Sequence, residues 1–159
     1  MPDQSNPWVR LSTQRFYDSP YVTANEDTVR HRSGRVHAYT ALRFRVFGVA
    51  VLPIDADGFT TLIGQYRYVP ERYTWELVRG SGPLDTDPLL TAQRELQEET
   101  GYAAQHWLEV ARLMASPGIT DERAPCYVAW GLTATQAQPD REESLAHRRS
   151  HSRRPSPPA

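Results

Sequence analysis

From Trp8 to Phe47, polar and apolar side chains change places over short stretches, WVRLSTQRFY, VTANEDTVRHR and RVHAYTALRFRVF. That period predicts half-buried strands, with Ser33-Gly34 as a hairpin turn. Residues Val46 to Ile54 and Phe59 to Tyr68 read as two more strands, joined by a turn at Asp55-Ala56-Asp57-Gly58, and TWELV as a short one ending at Gly80. After the helix described next come strands at Leu108 to Met114 and Ala124 to Trp130, separated by the loop Ser116 to Glu122. No internal repeat is visible.

One segment has a helical period. It opens on Asp87-Pro88, an acid suited to cap the first turn followed by a proline where the missing N–H costs nothing, and it closes at Gly101, suited to a left-handed cap. With Leu89 at zero and about 100° per residue, Ala92 and Leu96 fall beside it as the buried stripe. Glu98, Glu95 and Glu99 then lie near about 180°, 240° and 280°, on one side, and Arg94 is within reach of Glu98.

Such a helix is poorly arranged on its own terms. Glu98 and Glu99 stand in its last turn, where the helix dipole disfavours negative charge by roughly 0.3–1 kcal/mol each, and Glu95 repels Glu99 across one turn. A local conflict of this kind points either to a compensating cation or to a simple solvated acidic face. A hard divalent ion, Mg²⁺ or Mn²⁺, is the cation that carboxylates prefer.

Composition narrows the chemistry. The chain has 159 residues, 39% of them hydrophobic, and a formal charge of −1, which suits one globular domain. All 18 basic residues are arginine, so Schiff-base, pyridoxal and P-loop lysine chemistry are excluded. The lone Cys126 excludes an internal disulfide or a multi-cysteine zinc site and reads as a small buried hydrophobe. His31, His37, His106, His147 and His151 are scattered and form no metal set. No apolar run approaches the ~18 residues of a membrane span, and the polar start MPDQSNPWVR lacks an export signal, so a cytoplasmic location without membrane contact is expected.

From Ala146 onwards the chain holds only Arg, His, Ser, Pro and Ala. Without apolar periodicity, residues 146–159 are expected to form a disordered basic tail. In a lysine-free, arginine-rich chain the abrupt switch also suggests a reading frame lost near Ser144-Leu145. Arg148, Arg149, Arg153 and Arg154 lack an aromatic platform in that segment, so nucleic acid is not an expected partner.

Gly80, followed after thirteen residues by Arg94-Glu95-Leu96-Gln97-Glu98-Glu99-Thr100-Gly101-Tyr102, resembles the Nudix box, G-x5-E-x7-R-E-U-x-E-E-x-G-U with U a bulky apolar residue. The second half matches at every specified position. Gln65-Tyr66-Arg67-Tyr68, Trp75-Glu76-Leu77, Ala115-Ser116-Pro117-Gly118 and Asp121-Glu122-Arg123 are similar to the ADP-ribose pyrophosphatase branch. One position departs: the box's first glutamate is Thr86, for which Asp85 or Asp87 partly substitutes in charge.

The resemblance implies an α/β fold, the Nudix α/β/α sandwich with a mixed sheet. A small N-terminal β-domain (residues 1–43) that dimerises would precede a catalytic domain (44–145), with the family's C-terminal strand and closing helix missing. It implies metal-dependent hydrolysis of the diphosphate of a nucleoside diphosphate sugar, foremost ADP-ribose to AMP and ribose 5-phosphate. Alternatives are a GDP-mannose-type hydrolase or an impaired domain that binds a nucleotide without cleaving it. Glu95, Glu98 and Glu99 would hold the metal, with the backbone carbonyl of Arg79 beside them and Gly80 allowing the chain to turn. Arg94 would orient a glutamate. Arg67 would grip the diphosphate or else end a strand at the surface; Tyr66 and Tyr68 would flank a base or pack within the sheet; and Trp75 would lie in the core. Glu122 would face substrate, a metal-bound water or solvent. Among Asp140, Glu142 and Glu143, the general base would be Glu143.

Overall fold

In a computed structural model, residues 4–136 and 144–151 are described, and they fall into two compact units. The first comprises residues 1–46 and 114–122, and the second residues 47–113 and 123–159. The Ser-Pro-Gly loop groups with the N-terminal strands.

In the first unit, β1 (Trp8–Asp18), β2 (Val22–His31) and β3 (Val36–Phe44) form an antiparallel meander. Gly34 turns the β2–β3 hairpin with φ of 86°, a left-handed conformation that glycine adopts without steric cost. The central strand β2 buries Thr23, Ala24, Asn25 and Asp27. Asp27 is charged yet buried because Thr13 donates to it at 2.7 Å and Arg43 stands at 3.5 Å. Trp8 packs edge-on against His31, His37 and Tyr39. The 114–122 segment is tied to β3 through Leu42 N–H donating to Ile119 O and Phe44 N–H donating to Asp121 Oδ1, both at 2.8 Å.

The second unit is built on a mixed sheet. Its main path runs β10 (Ala146–His151), β5 (Phe59–Arg67), β4 (Val46–Ile54), β9 (Arg123–Ala134), β8 (Tyr102–Met114), while β6 (Arg72–Glu76) pairs with β5 and β7 (Val78–Pro83) with β4. Strands β4 and β9 are parallel; β4–β5, β5–β6 and β5–β10 are antiparallel. Alternate residues of β4, Phe47, Val49 and Val51, enter a core shared with Ile63, Val78, Tyr127 and Ala129.

Helix α1 (Pro88–Thr100) covers that core with Ala92 and Leu96. Its ends follow from local chemistry. The Asp87 side chain accepts from Leu89 N–H at 2.9 Å, and Gly101, with φ of 70°, donates its N–H to Gln97 O at 2.9 Å. The buried face is centred further round than Leu89, which is half-buried; Thr91 and Glu99 are buried instead. No helix among the described residues is long and apolar enough to cross a membrane.

Five expectations need correction. Ala146–His151 is a strand, not a disordered tail, although the rest of that segment lies outside the described residues. Its partners compensate for its lack of apolar side chains. Main-chain pairing along β5 is joined by the Arg148 guanidinium 4.1 Å over the Trp75 ring and by Arg149 on Asp55 at 2.8 Å and Asp57 at 2.6 Å. A C-terminal strand is thus present where it was expected to be missing. Trp75 is 36% exposed rather than in the core; it pairs with Gly64 on β5, and the Arg148 guanidinium of β10 lies over its ring. Cys126 is half-buried and not enclosed. Finally, β7 runs through Gly80 to Pro83, so Gly80 lies inside a strand and makes no turn.

Candidate active site

Helix α1 and strand β7 together build the acidic site. Glu99 is 3% exposed, and its Oε2 faces the Arg79 backbone N–H at 3.4 Å. Glu95 is largely buried and Glu98 about a third exposed, so the three carboxylates step from the core outward along one side of the helix. Arg94 gathers two of them: one guanidinium nitrogen donates to Glu95 Oε1 and another to Glu98 Oε2, each at 2.5 Å, and a third bond reaches Ser81 O on β7 at 3.2 Å. Desolvation pulls the pKa of this arginine down, the charges of Glu95 and Glu98 pull it up, and the charges prevail.

Gly80 has a steric role. A Cβ placed there would run into the carboxyl group of Glu95. The described residues with left-handed glycine conformations are Gly34, Gly58, Gly101 and Gly131, so Gly80 is needed for space rather than for its backbone angle.

Strand register decides how the remaining candidates are placed. Ile63 pairs with Glu76, Gln65 with Thr74 and Arg67 with Arg72, while Tyr66 pairs with Tyr73 and Gly64 with Trp75. Side chains alternate across a sheet, so Arg67, Thr74 and Glu76 share one face and Tyr66, Tyr73 and Trp75 the other. Arg67 and Tyr66 are therefore not brought together. Arg67 grips Glu76 by two bonds, Nε to Oε1 at 3.0 Å and a terminal nitrogen to Oε2 at 2.9 Å. The Arg79 guanidinium approaches the same carboxylate at 3.8 Å. Hydrogen bonding from Arg67, reinforced by Thr74 and by the charges of both arginines, outweighs burial and lowers the Glu76 pKa to about 2. A row Arg67–Glu76–Arg79 thus leads along the sheet to the strand that faces Glu99.

Tyr66 and Tyr68 are exposed, Tyr68 to 88%, rather than packed within the sheet. Glu122 groups with the first unit, its N–H donating to Thr120 Oγ1 at 3.2 Å. Asp87 is occupied by capping the helix, and Thr86 N–H closes the turn 83–86 on Pro83 O at 3.0 Å. Asp140, Glu142 and Glu143 lie outside the described residues. Glu76 and His147, whose ring meets the Glu99 carbonyl, were not singled out from sequence. Only the register of β5 with β6 puts Glu76 on the Arg67 face, and nothing local marks His147.

The donor chemistry fits a hard divalent ion: three carboxylates rise from two successive turns against a strand cleared of side-chain bulk at Gly80. As they stand, Glu95 and Glu98 are drawn to Arg94, and no group of three or more His, Cys, Asp or Glu side chains among the described residues is gathered closely enough to hold a metal.

No protein-family model matches the chain. Individual proteins do. An ADP-ribose pyrophosphatase of Mycobacterium tuberculosis is 33% identical over 126 residues, 77% of this chain and 59% of the relative. A methanol dehydrogenase activator of Bacillus methanolicus is 31% identical over 123 residues, 77% of this chain and 66% of the relative. An ADP-ribose pyrophosphatase of Bacillus subtilis is 33% identical over 95 residues, 60% of this chain and 51% of the relative. The chain thus spans between half and two thirds of the length of these relatives. A solved structure described as an ADP compounds hydrolase shares the fold, with a TM-score of 0.82 and 22% identity over 92% of this chain and 80% of that one. With the box from Gly80 to Tyr102 laid out on β7 and α1, the chain is similar to Nudix hydrolases of the ADP-ribose pyrophosphatase-like branch in both sequence and fold.

Proposed function

We propose that this chain hydrolyses the diphosphate of a nucleoside diphosphate sugar with the help of Mg²⁺ or Mn²⁺, ADP-ribose giving AMP and ribose 5-phosphate being the preferred case. The observation that carries the reading is the row of Glu95, Glu98 and Glu99 along one side of α1 against the cleared strand at Gly80. The names of two relatives support ADP-ribose as the substrate.

A diphosphate resists water because its negative charge repels the nucleophile. A divalent ion held by Glu95, Glu98 and Glu99, with the Arg79 carbonyl as a further donor, supplies neutralisation and a more acidic water. The protein's part is placement. Arg94 pairs with Glu95 and Glu98 and fastens the helix to Ser81, the part of a residue that orients metal-holding carboxylates. Arg67 presents a planar guanidinium suited to phosphate oxygens, kept in place by Glu76. Glu143 is the base that takes the proton from water. The N-terminal strands serve as a dimerisation element, a role supported by Val9, Leu11, Phe16 and Tyr17, all exposed on β1.

Incubation of the purified chain with Mg²⁺ and a panel of nucleoside diphosphate sugars, ADP-ribose and GDP-mannose included, tests the reading. Release of AMP from ADP-ribose at the highest kcat/KM supports it. A clear preference for GDP-mannose would overturn the substrate assignment, and no cleavage of any member would overturn the activity.

A further inference from the structure

His147 is an exposed residue of β10, and its ring Nε2 lies 2.6 Å from the main-chain oxygen of Glu99, 48 residues away. A carbonyl only accepts, so Nε2 carries the proton and donates it. The last carbonyls of a helix have no partner within it and need one from outside. At the end of α1, Gly101 N–H serves Gln97 O, the Thr100 hydroxyl serves Leu96 O at 2.5 Å, and His147 serves Glu99 O.

This is also the turn that most needs support. It carries Glu98 and Glu99 against the helix dipole, and no basic residue stands in it. Helix ends fray unless held. Glu99 is held from two sides: β7 offers the Arg79 N–H to its carboxylate, and β10 offers His147 to its carbonyl.

We propose that His147 is a positioning residue for the Glu98–Glu99 turn. By fixing the Glu99 carbonyl from β10 it sets where the Glu99 carboxylate stands, and thereby the affinity of the acidic site for a divalent cation. The proposal rests on the reading of α1 as the metal-holding helix.

The test is Mn²⁺ binding to the full chain without substrate, followed through the electron paramagnetic resonance signal of the free ion, with thermal unfolding as a check on folding. H147F keeps a ring of similar volume and removes the donor. H147N keeps an amide but ends short of the carbonyl, and H147Q places an amide nitrogen near the position of Nε2. E99Q reports on the metal site itself.

Loss of Mn²⁺ affinity by about tenfold in H147F and H147N, with H147Q within about threefold of the parent, is expected from removing a support one step behind a ligand. Parent-like binding by folded H147F or H147N, alongside weakened binding by E99Q, would overturn the role of His147 and leave the metal site standing. Equal weakening in H147Q would also overturn it, since the donor would then not be what matters. Parent-like binding by E99Q would overturn the metal reading and the proposal with it.

Discussion

Gly80 gives the Glu95 carboxyl group the space that any side chain at position 80 would fill. The two residues belong to different elements, β7 and α1, yet the glycine and the glutamate are one steric unit. The first glycine of the box is explained here by close approach and not by a turn.

Replacing Gly80 by alanine should therefore divide activity from stability. The clash falls on the end of a flexible side chain, which can swing aside, and a strand alanine restricts the unfolded chain, so stability should stay within about 1 kcal/mol of the parent. Glu95 would be displaced, and a misplacement on the scale of an ångström costs about a hundredfold in rate. Thermal unfolding and kcat/KM measured on the same preparation check this. A variant that keeps full activity would show that Glu95 need not stand where Gly80 lets it.

Arg67 and Glu76 carry a signature in acid. The Glu76 pKa, near 4.5 in ordinary surroundings, is lowered to about 2 in the folded protein, chiefly by the bonds from Arg67. Folding then favours the ionised form. The resulting stabilisation is fully present above pH 4.5 and is lost as pH falls through about 2. Glu76→Gln should cost roughly 1–3 kcal/mol at neutral pH. It should also flatten the fall in urea midpoint on acidification relative to the parent. Parallel curves for the two proteins would contradict the assignment.

Strand β10 makes a prediction about proteolysis. Arg148 lies over the Trp75 ring, and Arg149 is held by Asp55 and Asp57 within a strand paired along β5. Brief trypsin treatment of the folded chain should leave the bonds after Arg148 and Arg149 intact, while Arg149→Ala should hasten cleavage after Arg148. Mass spectrometry of the fragments reads both. Immediate cutting at these positions in the parent would mean that the strand does not persist in solution.

The parts of the fold that rest on neighbouring residues were legible in the sequence. Asp87-Pro88 and Gly101 mark the bounds of α1 because a cap is made within one turn, and the apolar run Val46 to Ile54 shows β4, of which alternate side chains, Phe47, Val49 and Val51, enter the core. What was missed depends on distant partners. AHRRSH has no apolar pattern, and it becomes a strand only where β5 offers an edge and Trp75, Phe59, Asp55 and Asp57 offer surfaces for its cations. Gly80 reads as a strand end since glycine in a strand is the usual sign of a break; its function is visible only when Glu95 arrives from the helix. That Tyr66 and Arg67 occupy opposite faces followed from the period of two, but Arg67's hold on Glu76 required the register of β5 with β6.

The central claim is that Glu98 and Glu99 hold the divalent ion that makes a diphosphate cleavable. Glu98→Gln forfeits a surface ion pair worth a few tenths of a kcal/mol and relieves the helix dipole by a similar amount, so the fold should survive. Glu99→Gln keeps an oxygen for the Arg79 N–H. The measurement is AMP release from ADP-ribose as Mg²⁺ is titrated, for the parent and both variants. The account predicts metal-dependent turnover in the parent and a loss of about a hundredfold or more in each variant, on the scale of removing a group that acts in the chemical step. Unchanged Mg²⁺-dependent turnover in both variants would contradict it.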